Sequence, residues 1–188
     1  MALQAVDCTE CHSPHAAKQE HLVKAAGGGE CTGCHTDKAA GKDEAAHGAI
    51  GFLGCRGCHQ PHGGDNERML RASRSEICLG CHDAARRKSA ENNSVVLLDH
   101  FRIGESAAER VKRIPALRVV NGNVVDHPVT GHRATGKPTA EELKRTTTTF
   151  EGELGCLVCH DPHKGPSSRH FAGGVRSAAE LCLKCHKK

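Results

Sequence analysis

The sequence predicts a fold of mostly coil and short helices wrapped around a stacked row of bound groups, with a small β-hairpin near residues 117–125. Three observations lead there. The pattern Cys-x-x-Cys-His occurs six times and takes up all 12 cysteines. There is no tryptophan or tyrosine, and only 4 phenylalanines stand beside 21 glycines in 188 residues, so side chains alone make a thin core. Finally, Leu117 to Val125 places apolar residues on either side of Asn121-Gly122, the preferred two-residue turn of a hairpin.

The six repeats are Cys8/Cys11/His12, Cys31/Cys34/His35, Cys55/Cys58/His59, Cys78/Cys81/His82, Cys156/Cys159/His160 and Cys182/Cys185/His186. Two thiols three residues apart on a helical turn point the same way. They can therefore both form thioethers with the two vinyl groups on one haem edge, and the histidine after the second thiol sits under the iron. The pattern reads as c-type haem attachment, so six covalently bound haem c groups with their iron are expected. Cysteine pairs of this spacing also describe zinc ribbons. What decides is the histidine behind every pair: with 15 histidines in 188 residues, six coincidences do not arise by chance, and neither zinc nor a disulfide needs one there. Six porphyrins supply the apolar surface that the side chains lack. Folding is accordingly expected to be coupled to haem attachment, with the haemless polypeptide disordered.

The formal charge of +4 changes sign once haem is counted. Two propionates and a ferric core of about +1 per haem bring the total to roughly −2 oxidised and roughly −8 reduced. The basic residues are scattered and are not interleaved with aromatics, which argues against nucleic acid as a partner. No stretch approaches the roughly 18 apolar residues of a transmembrane helix. The first attachment site follows Met1 to Asp7 at once, leaving no room for a signal peptide. Because covalent haem attachment takes place outside the cytoplasm, a removed export signal and an extracytoplasmic location are expected, extracellular or cell-surface ahead of periplasmic.

Three regions follow along the chain. Residues 1–92 form a tetrahaem region with two Cys-x-x-Cys-His pairs, in which Thr36 to Ala46 and Ser73 to Lys88 are each expected to contain a short helix, the second including the fourth site. Residues 93–150 are a haem-free insert. It is expected to hold a strand at Val95 to Leu98, a helix from Glu105 to Ile114 stopped by Pro115, the hairpin, and a segment Thr146 to Thr149 that is strand or loop. Its role is read as spacer, docking flap or inert linker. Residues 151–188 form a C-terminal dihaem module. Gly54 to His62 followed by Ile77 to His82 reappears as Gly155 to His163 followed by Leu181 to His186, and Cys8 to His35 looks like a shorter third copy.

Six proximal histidines leave His15, His21, His47, His62, His100, His127, His132, His163 and His170 for the opposite faces of the irons. Methionine cannot serve generally, since only Met1 and Met69 exist. Bis-histidine ligation and low potentials are therefore expected. In C-H-x-P-H the residue before proline leaves the helical region, so His15, His62 and His163 should ligate a haem other than the adjacent one. Within each unit His62 is assigned to the Cys78/Cys81 haem and His163 to the Cys182/Cys185 haem. His47 is assigned to the Cys55/Cys58 haem, and His127 to the Cys156/Cys159 haem in competition with His132. His15 and His21 are local candidates for the first two haems, with His100 and His170 in reserve.

The doubled motif resembles the doubled Cys-x-x-Cys-His family of multihaem c-type cytochromes. The motif order is also similar to that of extracellular hexahaem cytochromes that polymerise into nanowires: a C-x-x-C-H-x-x-H start, a central C-H-x-P-H pair, a haem-free stretch with His127-Pro128, and a last site near the C-terminus. That resemblance implies that His15 ligates a haem of the adjacent subunit. This chain is much shorter than those proteins and lacks their aromatic-rich loops. The function expected is electron transfer through six closely packed haems, in a self-assembled filament for extracellular transfer or, alternatively, in a discrete shuttle between other multihaem redox proteins. A multihaem reductase is disfavoured and no catalytic residue is assigned, because catalysis needs an open iron position and such enzymes often alter one motif, whereas all six here are regular.

Overall fold

The computed structural model describes residues 6–98, 100–121, 123–125, 127, 137, 139–140 and 155–186. Regular structure is sparse and short. In chain order it comprises α1 (Cys8–Cys11), α2 (Gly29–Thr32), β1 (Ala45–Ala46), α3 (Gly48–Leu53), α4 (Arg74–His82), β2 (Lys88–Ser89), β3 (Val95–Leu97), β4 (Phe101–Ile103), α5 (Glu105–Lys112), β5 (Val119–Val120), β6 (Asn123–Val124), α6 (Cys156–Cys159), β7 (Lys164–Gly165) and α7 (Ala178–Cys182), with 3₁₀ turns between them.

Each Cys-x-x-Cys-His segment is built on one turn of chain. The backbone N–H of the histidine donates to the carbonyl of the first cysteine in His12→Cys8, His35→Cys31, His59→Cys55, His160→Cys156 and His186→Cys182, at 2.9–3.0 Å. The remaining segment lies inside α4. One turn is all the attachment needs, so local sequence suffices to build it. Asp7 helps by capping α1, its carboxylate accepting from the Thr9 N–H at 2.8 Å.

A second feature recurs three times. After the first histidine of each module the chain turns back through a bend and forms a one-residue antiparallel bridge: His12 with Val23, His59 with Leu70 and His160 with Phe171. The bends carry non-glycine residues at positive φ, at His21 (58°), Leu22 (57°), Arg68 (56°), Met69 (55°) and His170 (50°). That conformation costs roughly 1–2 kcal/mol for a residue with a Cβ, so the bridges must hold it. The short copy Cys8 to His35 thus folds locally like the two longer ones.

A cluster of buried side chains forms in the insert, while Val23, Leu79 and Phe171 are buried outside it. β2, β3 and β4 make an antiparallel sheet in which Val95 faces Ile103 and Leu97 faces Phe101. The two-residue strand period buries Val95 and Leu97 on one face, against Ala108 and Val111, a helical turn apart on α5, and Ile103. Phe52, Leu53, Cys81 and Leu98 pack around this cluster. Complete burial of one such aliphatic side chain contributes about 1.5–3 kcal/mol. Residues 95–98 and 100–114 therefore build a packed unit with Cys81 against it. β5 and β6 pair across Asn121 as the turn signal predicts.

Of the two short helices expected in the first region, the second forms and the first is reduced to a 3₁₀ turn. Thr36 to Ala46 is not a helix: a 3₁₀ turn at Thr36–Lys38 is followed by β1, which pairs with β7 so that Ala45 faces Gly165. Glu44 supports this ladder by pairing with Lys164 at 2.9 Å. A partner far along the chain overrode a weak helical pattern. Ser73 to Lys88 contains the expected helix, α4, with the fourth Cys-x-x-Cys-His segment in it; it stops at His82, where the Asp83 carboxylate takes the Ala85 N–H at 3.0 Å and opens a separate 3₁₀ turn. Thr146 to Thr149 lies outside the described residues.

Candidate functional site

The three bends have a chemical consequence. His12 Nδ1 lies 2.8 Å from the His21 carbonyl, His59 Nδ1 2.9 Å from the Arg68 carbonyl and His160 Nδ1 2.8 Å from the Arg169 carbonyl, each nine residues further on. A nitrogen facing a carbonyl must carry the proton, so Nε2 keeps the lone pair that an iron takes. The His82 ring is held by the Pro115 carbonyl. Around it, Leu117 N–H donates to the His82 carbonyl at 2.6 Å. Arg87 ties the Cys81 and Ile114 carbonyls together at 2.6 and 3.2 Å. Sequence reasoning missed all of these carbonyl partners. They are backbone groups, and a constant spacing to residues as different as His21, Arg68 and Arg169 was the only trace.

Imidazoles from distant segments meet the proximal ones. His12 faces His62 with ring centres 5.9 Å apart, His59 faces His163 at 6.2 Å, His82 faces His47 at 6.2 Å and His160 faces His127 at 6.0 Å. A metal–imidazole bond of about 2.0 Å on each side, plus roughly 1.1 Å from nitrogen to ring centre, puts two imidazoles on opposite sides of one metal about 6 Å apart. The four spacings fit an iron between each pair. His47 also lies 5.5 Å from His170, whose buried Nδ1 has no hydrogen-bond partner. His15, His21 and His100 are exposed, and His132 lies outside the described residues.

These pairings depart from those expected within each unit. His62 stands against His12 rather than His82, and His163 against His59. His47 stands against His82 rather than His59. His127 alone faces the ring assigned to it.

The cysteine sulfurs succeed one another along the chain. Cys31 is near enough to Cys11 to feel its charge and makes a side-chain hydrogen bond with Cys55. Cys58 neighbours Cys78 and Cys81, and Cys78 hydrogen-bonds Cys156. Cys159 in turn neighbours Cys182 and Cys185. Consecutive attachment segments are thus brought side by side in sequence order.

Cys31 and Cys34 differ in exposure within their turn. α2 ends at Thr32 and Cys34 lies beyond it, exposed, while Cys31 is half-buried. The cause is local: Gly33 closes the helix, and the Cys34 N–H takes up a tighter turn by donating to the Cys31 carbonyl at 3.2 Å. The second segment therefore meets its neighbours through Cys31 and turns Cys34 toward the surface. Cys8 and Cys182 are exposed as well.

The family model for the doubled CXXCH motif matches residues 1–40, 47–87 and 148–188, about two thirds of the chain. The chain belongs to the doubled CXXCH family. It is a multihaem c-type cytochrome that binds haem c covalently and works in electron transfer. No curated protein and no solved structure matches it.

Burial favours the neutral form of several of the imidazoles that this cytochrome brings together. It lowers the pKa of His82, His163 and His170 and takes His47 down to about 4, with His82, His170 and His163 around it adding to the effect. The neutral imidazole is the metal-ligating form. Burial likewise pushes the Cys31 thiol up to about 12 and Cys81 up to about 11. Between Cys78 and Cys156 the shared hydrogen bond leaves the proton on Cys78, whose pKa is raised. Within C-H-D-P-H, Asp161 Oδ1 accepts the His163 N–H at 2.8 Å and lies 3.4 Å from its Nδ1, which holds the ring from its Nδ1 side.

Proposed function

We propose that this cytochrome carries electrons through six bis-histidine haems, one on each Cys-x-x-Cys-His segment, as a subunit of an extracellular filament. The observation that carries the reading is the set of imidazole pairs at 5.9–6.2 Å, each joining a proximal histidine to one from a distant segment. Bound haem supplies the one-electron chemistry at iron. The chain's residues do the positioning. The cysteines tether one edge of each porphyrin, the carbonyl-locked histidines present Nε2, and the partner imidazoles close the opposite face. The succession of neighbouring cysteines along the chain supports close packing of neighbouring haems. An iron held between two imidazoles has no position left for a substrate, and four of the six proximal histidines already stand opposite a second imidazole, so we read the protein as a carrier and not an enzyme.

The filament reading is supported by the motif order shared with nanowire-forming cytochromes and by the exposed His15. His15 occupies the same place in its motif as His62 and His163, so it is suited to a haem of a neighbouring copy. The discrete periplasmic shuttle is favoured instead by the four ring pairs forming within one chain. Intact-mass measurement of the purified protein is expected to give six haem additions, and magnetic spectroscopy to give low-spin iron throughout. Fewer additions, or carbon monoxide binding by the reduced protein, overturn the six-haem reading. Electron microscopy is expected to show uniform filaments, and monodisperse particles establish the shuttle in their place.

A further inference from the structure

We infer that successive modules are locked together through iron: the second histidine of a C-H-x-P-H segment caps the first haem of the module before it. His62 thus closes the haem held by Cys8 and Cys11, and His163 the haem held by Cys55 and Cys58. This deepens the six-haem reading and rests on it.

The relation occurs twice with the same geometry. His12 and His62 are near-parallel, 27° between planes at 5.9 Å, and His59 and His163 are so at 16° and 6.2 Å. In both pairs the proximal ring is held at Nδ1 by a carbonyl in a positive-φ bend, which leaves the Nε2 lone pair for an iron. Asp161 holds the other ring of the second pair from its Nδ1 side. The β1–β7 ladder places that ring, since the His47 N–H donates to the His163 carbonyl at 3.0 Å and the strands continue from there. The same ladder carries His47 to His82, so the haem of Cys78 and Cys81 has its cap from upstream and does not need His62. One short strand pair between distant segments therefore delivers two capping imidazoles to two consecutive haems. The C-H-x-P-H proline has a reason in this arrangement: extended chain after the proximal histidine lets the next imidazole reach back along the row.

The experiment removes a cap and asks which haem opens. In the six-haem protein His62→Ala is expected to convert one haem in six to a high-spin, carbon monoxide-binding form. In a variant that also carries Cys8→Ala and Cys11→Ala, and so lacks the first haem, His62→Ala is expected to open none. A high-spin haem that persists in this five-haem background overturns the inference, as does the absence of any high-spin haem in the single variant. His163→Ala with and without Cys55→Ala and Cys58→Ala repeats the test on the second pair. Should loss of the cap prevent accumulation, His62→Met keeps the iron six-coordinate and raises one potential, and that raised component is expected to vanish with Cys8→Ala and Cys11→Ala. Six low-spin haems in the unsubstituted protein, measured first, separate a failure of this assignment from a failure of the six-haem reading.

Discussion

Gly28 gives the sharpest test of how tightly neighbouring attachment segments are packed. Its φ is +91°, and a Cβ built there would stand 2.7 Å from Cys55 Sγ. In the holoprotein that sulfur is a thioether and cannot turn aside. Two costs follow for Gly28→Ala: about 1–2 kcal/mol for a left-handed residue with a Cβ, and about 1–3 kcal/mol for forcing a methyl into a packed contact. Their sum is about 2–5 kcal/mol. Gly27 is the internal control, because its φ is +64° and nothing lies within 4 Å of its Cβ position, so Gly27→Ala should cost only the first part. Denaturant unfolding of both holoproteins, followed by Soret circular dichroism, measures the difference, and intact mass reports whether the Cys55/Cys58 haem is still attached. If the two variants agree within about 0.5 kcal/mol, Cys55 does not press on Gly28 and the close approach of the second and third segments is wrong.

Three further outcomes are expected. Leu97→Ala should cost about 2–5 kcal/mol as a core truncation, and Val96→Ala, on the other face of β3, markedly less; thermal unfolding of the holoproteins compares them. Arg87→Gln removes a cation bonded beside Cys81. Because positive charge favours the reduced, less positive iron, potentiometric titration should show one haem component shifted to lower potential, and an unchanged titration refutes the placement. Arg68 stands at φ 56° in the bend that locks His59. Arg68→Gly should therefore be neutral or stabilising by up to about 1 kcal/mol, while Arg68→Val should lose stability, as read from unfolding midpoints.

Much of the local structure was legible because its causes are local. The helix Glu105–Lys112 before Pro115, the strand at Val95–Leu97 and the turn at Asn121 follow from periodicity, a helix breaker and turn chemistry acting over a few residues. Strand β1 was not legible: Ala45-Ala46 has no strand signature, and only Lys164-Gly165 opposite makes it one. The carbonyl locks on His12, His59 and His160 were hidden as well, since any residue can offer a carbonyl and the bends use no glycine. Nor does the motif spacing, identical in all six segments, tell that Cys31 is turned inward and Cys34 outward, because exposure depends on which segment packs alongside.

The sequence by itself determined that this is a haem-attaching chain, because two thiols and the histidine behind them fall within one turn of chain in every repeat. It also set the stock of side chains available for the opposite faces, 15 histidines against 2 methionines. Which imidazoles come together was decided only by the tertiary structure. They approach through space from different modules, and proximity along the chain, which suggested His62 beside the Cys78/Cys81 segment, is a poor guide once β1–β7 sets His47 against His82 and His62 lies against His12.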